Sequence, residues 1–195
     1  AMQQYVEHGA APAPHAWEAL TCPAVAMIDT PEGRLLPFGP TMDLLQQFGA
    51  IVAPYVLIDA VMPEQAQLAL LGSPLVVKLA NVPHRTEHGA VEVGVTATDV
   101  PAVVKKMRGI ARRDGLDSQV VVQSMVVGSG EMFVGIQASA DLGPVLVCGL
   151  GGIFVELLKK VSGSMLPLES ARAAAMLDEV AGDSFLAGFR GQPPW

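Results

Sequence analysis

The chain has 195 residues, of which 51% are hydrophobic and 5% aromatic, and its formal net charge is −7. No apolar stretch reaches the ~20 residues of a membrane-spanning helix, and an acidic chain lacks the basic face that nucleic acid requires, so neither kind of partner is expected. Two cysteines without metal-ligand spacing and an N-terminus without a signal-peptide pattern favour a cytoplasmic protein.

The first part of the chain is poor in regular structure. Residues 1–40 are rich in alanine and proline, which predicts a linker or peripheral segment with one short strand at 24–28. Thr41 is the expected N-cap of a helix over 42–48 that ends at Gly49. A strand at 55–58 and a helix at 63–71, ended by Gly72, follow.

The rest of the chain alternates strands and helices. A strongly apolar strand at 74–80 carries one cation, Lys78, and a loop with two histidines leads to a strand at 91–95. Asp99 is the expected N-cap of a helix over 100–113, whose basic residues form a solvated face. Strands at 119–126, 132–137 and 145–148, more β-like sequence at 153–158 and a helix at 170–180 complete the pattern. Because several neighbouring strands join through short links, the expected class is α+β.

Lys78 is the first residue that could carry chemistry. An ammonium at the end of an apolar strand is costly to bury unless it meets an anion, so one interpretation is a phosphate or adenine contact. The alternative is a lysine that simply reaches the surface at the strand end.

Two histidines lie in the loop that follows. His84, beside Arg85 and Thr86, could act as a nucleophile towards phosphorus, because imidazole is largely neutral near pH 7. The alternative is that His84 is an exposed histidine without a function. No feature of the sequence distinguishes His88 from such a histidine. A metal site built on the two imidazoles and Glu87 is weakly supported, because no third ligand follows at a recognisable spacing.

The roles of two glycine-rich segments and two carboxylates have more than one interpretation. Residues 128–130 predict a tight hairpin connection. Residues 149–152 follow a strand but precede more β-like sequence, so they are neither a dinucleotide fingerprint nor a P-loop. Gly151 and Gly152 permit close approach to an anion, and a bulge or turn explains them equally well. Glu131 and Glu156 could each hold magnesium on a nucleotide or face water.

Taken in order, these motifs resemble the ATP-grasp portion of ADP-forming acyl-CoA (acetyl-CoA) synthetases, which are related to the β subunit of succinyl-CoA synthetase. The resemblance covers about residues 41–194 and finds no support in residues 1–40. It rests on the series PLVVK at 74–78, HRTEHGAV at 84–91, VQSMV at 122–126, EMFVG at 131–135, GPV at 143–145, GLGGIFVE at 149–156, PL at 167–168 and GFRG at 188–191.

The resemblance implies an ATP-grasp fold, in which two α/β subdomains with mixed or antiparallel sheets clasp a nucleotide. The smaller lobe is expected at about 74–115 and the larger at about 116–195, with 41–73 packed on it. The implied reaction converts acyl-CoA, ADP and phosphate to free acid, CoA and ATP through an acyl phosphate and a phosphohistidine, with ATP or ADP and Mg²⁺ as cofactors.

The resemblance also implies residue roles. Lys78 takes the place of the nucleotide-contacting lysine, residues 123–126 take the place of the hinge strand beside the adenine, and Glu156 matches a carboxylate near the metal–phosphate site. His84 matches the histidine of a His-Lys-Ser/Thr motif, which carries phosphate on a mobile loop. The implied nucleotide contacts are Lys78, Arg85, Gln123, Ser124, Met125, Val126, Glu131, Gly151 and Gly152.

The chain departs from the family pattern at four positions. Arg85 keeps the charge of the usual Lys, Ala90 replaces a glycine, and Ser139 stands where an Asp usually precedes the Gly-Pro. Lys160 stands four residues after Glu156, where the family has an Asp. Two unit charges at ~4 Å interact by about 4 kcal/mol at an effective dielectric of ~20, so this reversal could abolish a metal site. The alternative is that the ammonium of Lys160 contacts phosphate itself.

Three hypotheses follow from these observations. The first is a nucleotide-binding phosphoryl-transfer module, incomplete alone, whose CoA-binding and acyl-phosphate domains lie on the same native polypeptide or on a partner subunit. The second is a catalytically decayed nucleotide-sensing or structural domain of a fusion protein. The third is an interaction domain that merely shares the fold.

Overall fold

The computed structural model describes residues 26–30, 33–128, 131–139, 141–151 and 160–186. The described residues fall into two compact units, one that ends at Val126 and one that begins at Val127. Both units combine helices with antiparallel sheets, which confirms the predicted α+β class.

The described chain begins with a small β-hairpin and a helix. Strands β1 (Ile28–Thr30) and β2 (Gly33–Leu35) pair antiparallel, later than the strand expected at 24–28. Helix α1 (Phe38–Gln47) has Pro37 as its N-cap, so Thr41 is wrong as a cap. Its hydroxyl instead donates to the carbonyls of Leu36 (3.2 Å) and Pro37 (2.8 Å), because a threonine inside a helix can bond the carbonyl one turn back.

The first unit is built on an antiparallel sheet. Its elements are β3 (Tyr55–Ile58), α2 (Gln65–Ala69), β4 (Leu75–Leu79), β5 (Val91–Val95), α3 (Val100–Asp114) and β6 (Val120–Ser124). In the described part of the chain the strand order is β3-β6-β4-β5. Because β6 pairs with both β3 and β4, it belongs to this unit, which continues to Val126. The lobe bounds expected from the family resemblance stay a prediction.

One face of this sheet carries the main core. Leu75, Val77 and Leu79 alternate along β4 and are fully buried, which places their side chains on the face that α3 covers. The buried residues of α3 recur at helical spacing, as expected of an amphipathic helix; they are Val100, Val103, Val104, Met107 and Ala111. The helix ends at Gly115, whose φ of 67° suits a left-handed cap.

The other face of the sheet meets α1. Phe38 packs edge-to-face on Tyr55, with 5.1 Å between the ring centroids, and forms a small core with the buried Ala80 and Val121. Residues at even positions of β4 lie on this face, because they alternate with the core residues. Lys78 is one of them.

The second unit contains a further antiparallel sheet and a helix. Its elements are β7 (Met132–Ser139), β8 (Gly143–Leu150), β9 (Val161–Met165) and α4 (Ser170–Leu186), and the described strands are ordered β7-β8-β9. Met176 and Val180 of α4 pack with Cys148 and Leu150. Residues 129 and 130 of the hairpin predicted at 128–130 lie outside the described residues. The strands on either side, β6 and β7, belong to different sheets. None of the helices in the described part of the chain has the length and apolar character needed to cross a bilayer.

Candidate functional site

Lys78 and Gln123, both predicted from the sequence, lie together on the sheet face that meets α1. Lys78 Nζ donates to Gln123 Oε1 at 2.9 Å and lies 5.4 Å from the centroid of the Phe38 ring. Val76 is paired with Gln123 and Lys78 with Val121, so the lysine and glutamine are diagonal neighbours on adjacent strands. The central strand pair therefore fixes the lysine, the glutamine and an aromatic ring at one place.

The ammonium of Lys78 is held at an electrostatic cost. Burial lowers the pKa of Lys78 from its ordinary value, and the nearby charge of Arg85 lowers it further. Within the ranges that the structure describes, no carboxylate forms an ion pair with either residue. Because the described residues supply no counter-ion to this half-buried pair of cations, the pair favours the binding of an anion, which would relieve both effects.

The predicted hinge strand continues from Gln123. Gln123 Nε2 donates to the carbonyl of Ala53 (3.2 Å), which orients its amide beside Lys78. Ser124 uses its hydroxyl to bond the carbonyl of Leu71 (2.7 Å), and the Met125 amide bonds the carbonyl of Pro74 (3.0 Å). Val126 is 75% exposed. The hydroxyl of Ser124 is thus already used in a hydrogen bond within the fold. The contact of Ser124 with a nucleotide stays a prediction.

The loop between β4 and β5 has a fixed base. Val82 and Ala90 are buried in the main core, and the Leu79 amide bonds the carbonyl of Ala90 (3.0 Å). Asn81 is 8% exposed; its Oδ1 accepts from the Phe38 amide at 2.8 Å, and its Nδ2 donates to Gln119 at 3.1 Å. The methyl of Ala90, a departure from the family pattern, therefore fills space in the core.

Asn81 was missed by the sequence analysis. It is a polar residue directly after a buried strand, which is a weak signal without a recognised motif around it. Its hydrogen bonds connect the loop base to α1 and to the segment that precedes β6, so Asn81 is a buried polar residue whose hydrogen-bonding groups are satisfied.

His84 stands on the exposed tip of this loop. Its side chain is 59% exposed, and its Nδ1 lies 3.5 Å from Glu87 Oε1. Its φ of 49° is left-handed, a conformation that costs a non-glycine residue about 1 kcal/mol or more and that recurs at functional sites. The Glu87 amide closes the turn on the His84 carbonyl at 3.0 Å.

Arg85 anchors the loop to the strand that precedes it. Its Nε donates to the carbonyl of Leu79 at 2.7 Å and its Nη2 to that of Ala80 at 2.6 Å. Burial lowers the pKa of Arg85. Two bonds to successive carbonyls use the planar guanidinium fork, which lysine lacks. The predicted contact of Arg85 with a nucleotide is untested, and the structure gives this residue a local role as well.

His88, for which the sequence indicates no role, contacts the end of α3. Its Nδ1 lies 3.3 Å from Asp114 Oδ2. Arg113 donates to both oxygens of that carboxylate, at 2.6 and 2.8 Å. This bonding, assisted by His88, holds the pKa of Asp114 at about 2. The far end of the loop tip is therefore held by a carboxylate that is ionised at neutral pH.

The remaining predicted residues belong to the second unit or lie outside the described ranges. The Gly151 amide bonds the carbonyl of Glu131 at 2.6 Å, and a Cβ at position 151 would lie 2.9 Å from Glu131 Cβ. Close packing of backbone thus explains this glycine without a ligand. Gly152 and Glu156 lie outside the described residues, whereas Lys160 is described and exposed.

The metal site predicted at Glu156 therefore stays a prediction. Among the described residues, no three His, Cys, Asp or Glu side chains are grouped so that they could hold a metal ion. The side chain of Ser139, the other departure near this region, also lies outside what the structure describes.

Comparison with known proteins gives consistent matches. Residues 30–195 match the family model of the ATP-grasp domain. The ADP-forming acetate–CoA ligase I of Archaeoglobus fulgidus is 30% identical over 159 residues, which are 78% of this chain and 23% of that protein. The β subunit of the ADP-forming acetate–CoA ligase I of Pyrococcus furiosus is 30% identical over 130 residues, 64% of this chain and 56% of that subunit.

A solved structure is also similar. It is the dinucleotide forming acetyl-coenzyme A synthetase 1 of Ca. Korarchaeum cryptofilum in complex with coenzyme A and Mg-AMPPCP, with its phosphohistidine segment pointing towards the nucleotide binding site. The TM-score is 0.63 at 27% identity, over 82% of this chain and 70% of that one. These matches confirm the resemblance inferred from the ordered motifs. The chain spans less than a quarter of the Archaeoglobus relative's length.

Proposed function

Because this chain belongs to the ATP-grasp domain family, we propose that it is the nucleotide-binding, phosphoryl-transfer module of an ADP-forming acyl-CoA synthetase. The complete enzyme would convert acyl-CoA, ADP and phosphate to free acid, CoA and ATP. The observation that carries the proposal is the half-buried ammonium of Lys78, which has Gln123 beside it and precedes a loop that presents His84.

Lys78 and the hinge residues are the proposed nucleotide contacts. The ammonium meets phosphate oxygens, which relieves the burial and the repulsion from Arg85 that lower its pKa. Gln123 and the backbone of residues 124–126 lie beside the adenine. Glu131, Gly151 and Gly152 are further proposed contacts from the second unit.

His84 is the proposed phosphate carrier. An imidazole nitrogen forms a bond to the γ-phosphorus of ATP while the bond from that phosphorus to the β,γ-bridging oxygen breaks, and ADP leaves with the electron pair. In the reverse direction a β-phosphate oxygen of ADP takes the phosphoryl group and the P–N bond breaks. The exposed, left-handed loop position of His84 supports this role.

Magnesium is proposed to accompany the nucleotide, with Glu156 near it. The described residues supply no group of three protein ligands, and Glu156 lies outside them, so the roles of Lys78 and His84 are argued without a metal-dependent step. When bound with ATP, the ion would neutralise charge on the phosphate oxygens.

The proposed partners follow from the length of the relatives. Matched relatives are either much longer, as in Archaeoglobus fulgidus, or named as a β subunit, as in Pyrococcus furiosus. CoA-binding and acyl-phosphate domains on the same native polypeptide or on a partner subunit are therefore part of the proposal. A cytoplasmic setting is proposed with it, because Cys148 is a buried free thiol.

Labelling with γ-³²P-ATP and magnesium tests the carrier role. The wild-type chain is expected to take up acid-labile label, His84→Ala to lose it, and His88→Ala to keep it as the matched histidine control. Label retained in a folded His84→Ala variant, or none in the wild type, contradicts the proposal.

A further inference from the structure

A carboxylate lies beside the imidazole of His84 and belongs to the same turn. Glu87 Oε1 is 3.5 Å from His84 Nδ1, and the Glu87 amide donates to the His84 carbonyl at 3.0 Å. The two residues are three apart in the chain and share one short hydrogen-bonded turn. Any movement of the loop tip as a whole would therefore carry the carboxylate with the imidazole.

The turn that holds this pair is supported on both sides. Arg85 bonds the carbonyls of Leu79 and Ala80 at its start, and His88 bonds Asp114 directly after Glu87. The Gly89 and Ala90 amides bond the carbonyls of Thr86 (3.1 Å) and Arg85 (2.7 Å). The relative position of the Glu87 and His84 backbones is thus set by the fold, although both side chains are largely exposed.

A carboxylate beside one nitrogen of an imidazole ring determines which of the two nitrogens is available as the nucleophile. It accepts the proton of Nδ1, which fixes the tautomer with the lone pair on Nε2, and it stabilises the positive charge that appears on the ring when the other nitrogen reacts. The catalytic triad uses this arrangement. Metal-binding histidines use it repeatedly, and there the loss of the supporting group typically lowers metal affinity or activity about 10- to 100-fold.

We propose that Glu87 is a positioning residue that directs phosphorylation to Nε2 of His84. The inference rests on the carrier role proposed above. In the step, the Nε2–P bond forms, the bond from the γ-phosphorus to the β,γ-bridging oxygen breaks, and ADP leaves with the electron pair. The proton stays on Nδ1, which faces the Glu87 carboxylate at 3.5 Å, so no further base is required.

The phosphohistidine isomer is the direct readout. ³¹P NMR at alkaline pH distinguishes phosphate on Nε2 from phosphate on Nδ1. We expect the Nε2 isomer in the wild type after treatment with ATP and magnesium. Glu87→Ala is expected to be phosphorylated about tenfold more slowly and to give both isomers. The expected loss of rate is at the lower end of the roughly 10- to 100-fold range because both side chains are exposed.

Two variants separate positioning from general effects. Glu87→Gln keeps a neutral acceptor for the Nδ1 proton, so it should restore the Nε2 isomer while the rate stays below that of the wild type. Glu92→Ala removes the same charge from β5, where Glu92 pairs with Lys106 at 2.8 Å, and should change neither rate nor isomer. If Glu87→Ala is phosphorylated more slowly but still only at Nε2, Glu87 has a structural role and the inference is overturned.

A chemical phosphodonor keeps this test separate from the nucleotide site. Phosphoramidate phosphorylates imidazole without ATP, so the isomer at His84 can be read in the same variants even if ATP gives no label. Absence of ATP labelling in the wild type contradicts the proposed function. Phosphate on Nδ1 of His84 in the wild type, or equal rates and isomers in wild type and Glu87→Ala, contradicts the role of Glu87 with either donor.

Discussion

Replacement of Lys78 by methionine should separate stability from nucleotide binding. Methionine keeps most of the stem of the side chain but removes an ammonium whose burial and repulsion from Arg85 lower its pKa. The hydrogen bond from Nζ to Gln123 Oε1 (2.9 Å) is lost, which costs about 1 kcal/mol, and the removal of a half-buried charge offsets part of that cost. The free energy of unfolding should therefore change by less than about 1 kcal/mol, equivalent to a shift in Tm of no more than ~2–4 °C for a chain of this size.

Binding of ATP should respond much more strongly to the same change. A hydrogen bond from an ammonium to a charged phosphate contributes about 1.5–3 kcal/mol, so the Kd for ATP with magnesium should rise roughly 10- to 150-fold. Isothermal titration calorimetry gives the Kd, and thermal denaturation without nucleotide gives the stability of the same samples.

Lys106 supplies the matched control for Lys78. It is exposed, pairs with Glu92 at 2.8 Å and lies on α3, so Lys106→Met should leave the Kd unchanged; exposed ion pairs of this kind contribute little to stability. The reasoning is refuted if Lys78→Met lowers Tm by much more than 4 °C while the remaining folded protein binds ATP with the wild-type Kd. That result would make the ammonium a structural group and not a ligand contact.

Two further predictions concern stability. Gly151→Ala places a Cβ 2.9 Å from Glu131 Cβ and should lower the free energy of unfolding by about 1–3 kcal/mol. Gly135→Ala in β7 is the control, because its Cβ meets no atom within 4 Å. Equal Tm values for the two variants in thermal denaturation would contradict the close approach. Asp114 has its pKa lowered to about 2 by the hydrogen bond from Arg113, so its stabilising contribution is complete above the ordinary value of 3.8 and is lost as the pH falls through about 2. Asp114→Asn should accordingly be less stable than the wild type near neutral pH and equal to it below about pH 2; a difference in Tm that is the same at both pH values would refute this assignment.

Much of the secondary structure could be read from the sequence. The strands at 55–58 and 91–95 have the predicted bounds, because β-branched residues and flanking turn residues mark them locally. The helix beginning after Asp99 ends at Gly115, where a glycine in the left-handed region stops it. β9, at 161–165, was missed because Ser162, Gly163 and Ser164 carry no apolar alternation. Its pairing with β8 supplies the stabilisation that local propensity does not.

The ordered motifs determined the family, and local chemistry determined which side chains were candidates. Lys78 and His84 could be named from their neighbours in the chain, and Gln123 from the family resemblance. Their contacts could not, because they depend on strand register: the pairing of Val76 with Gln123 brings residues 45 positions apart within 2.9 Å. The same holds for the loop, where Asp114 reaches His88 from the end of a helix 26 residues away. The sequence by itself thus determined the chemical groups available to this protein, and the tertiary structure alone decided which of them meet, since burial and pairing between distant segments arise only when the sheet and its helices pack.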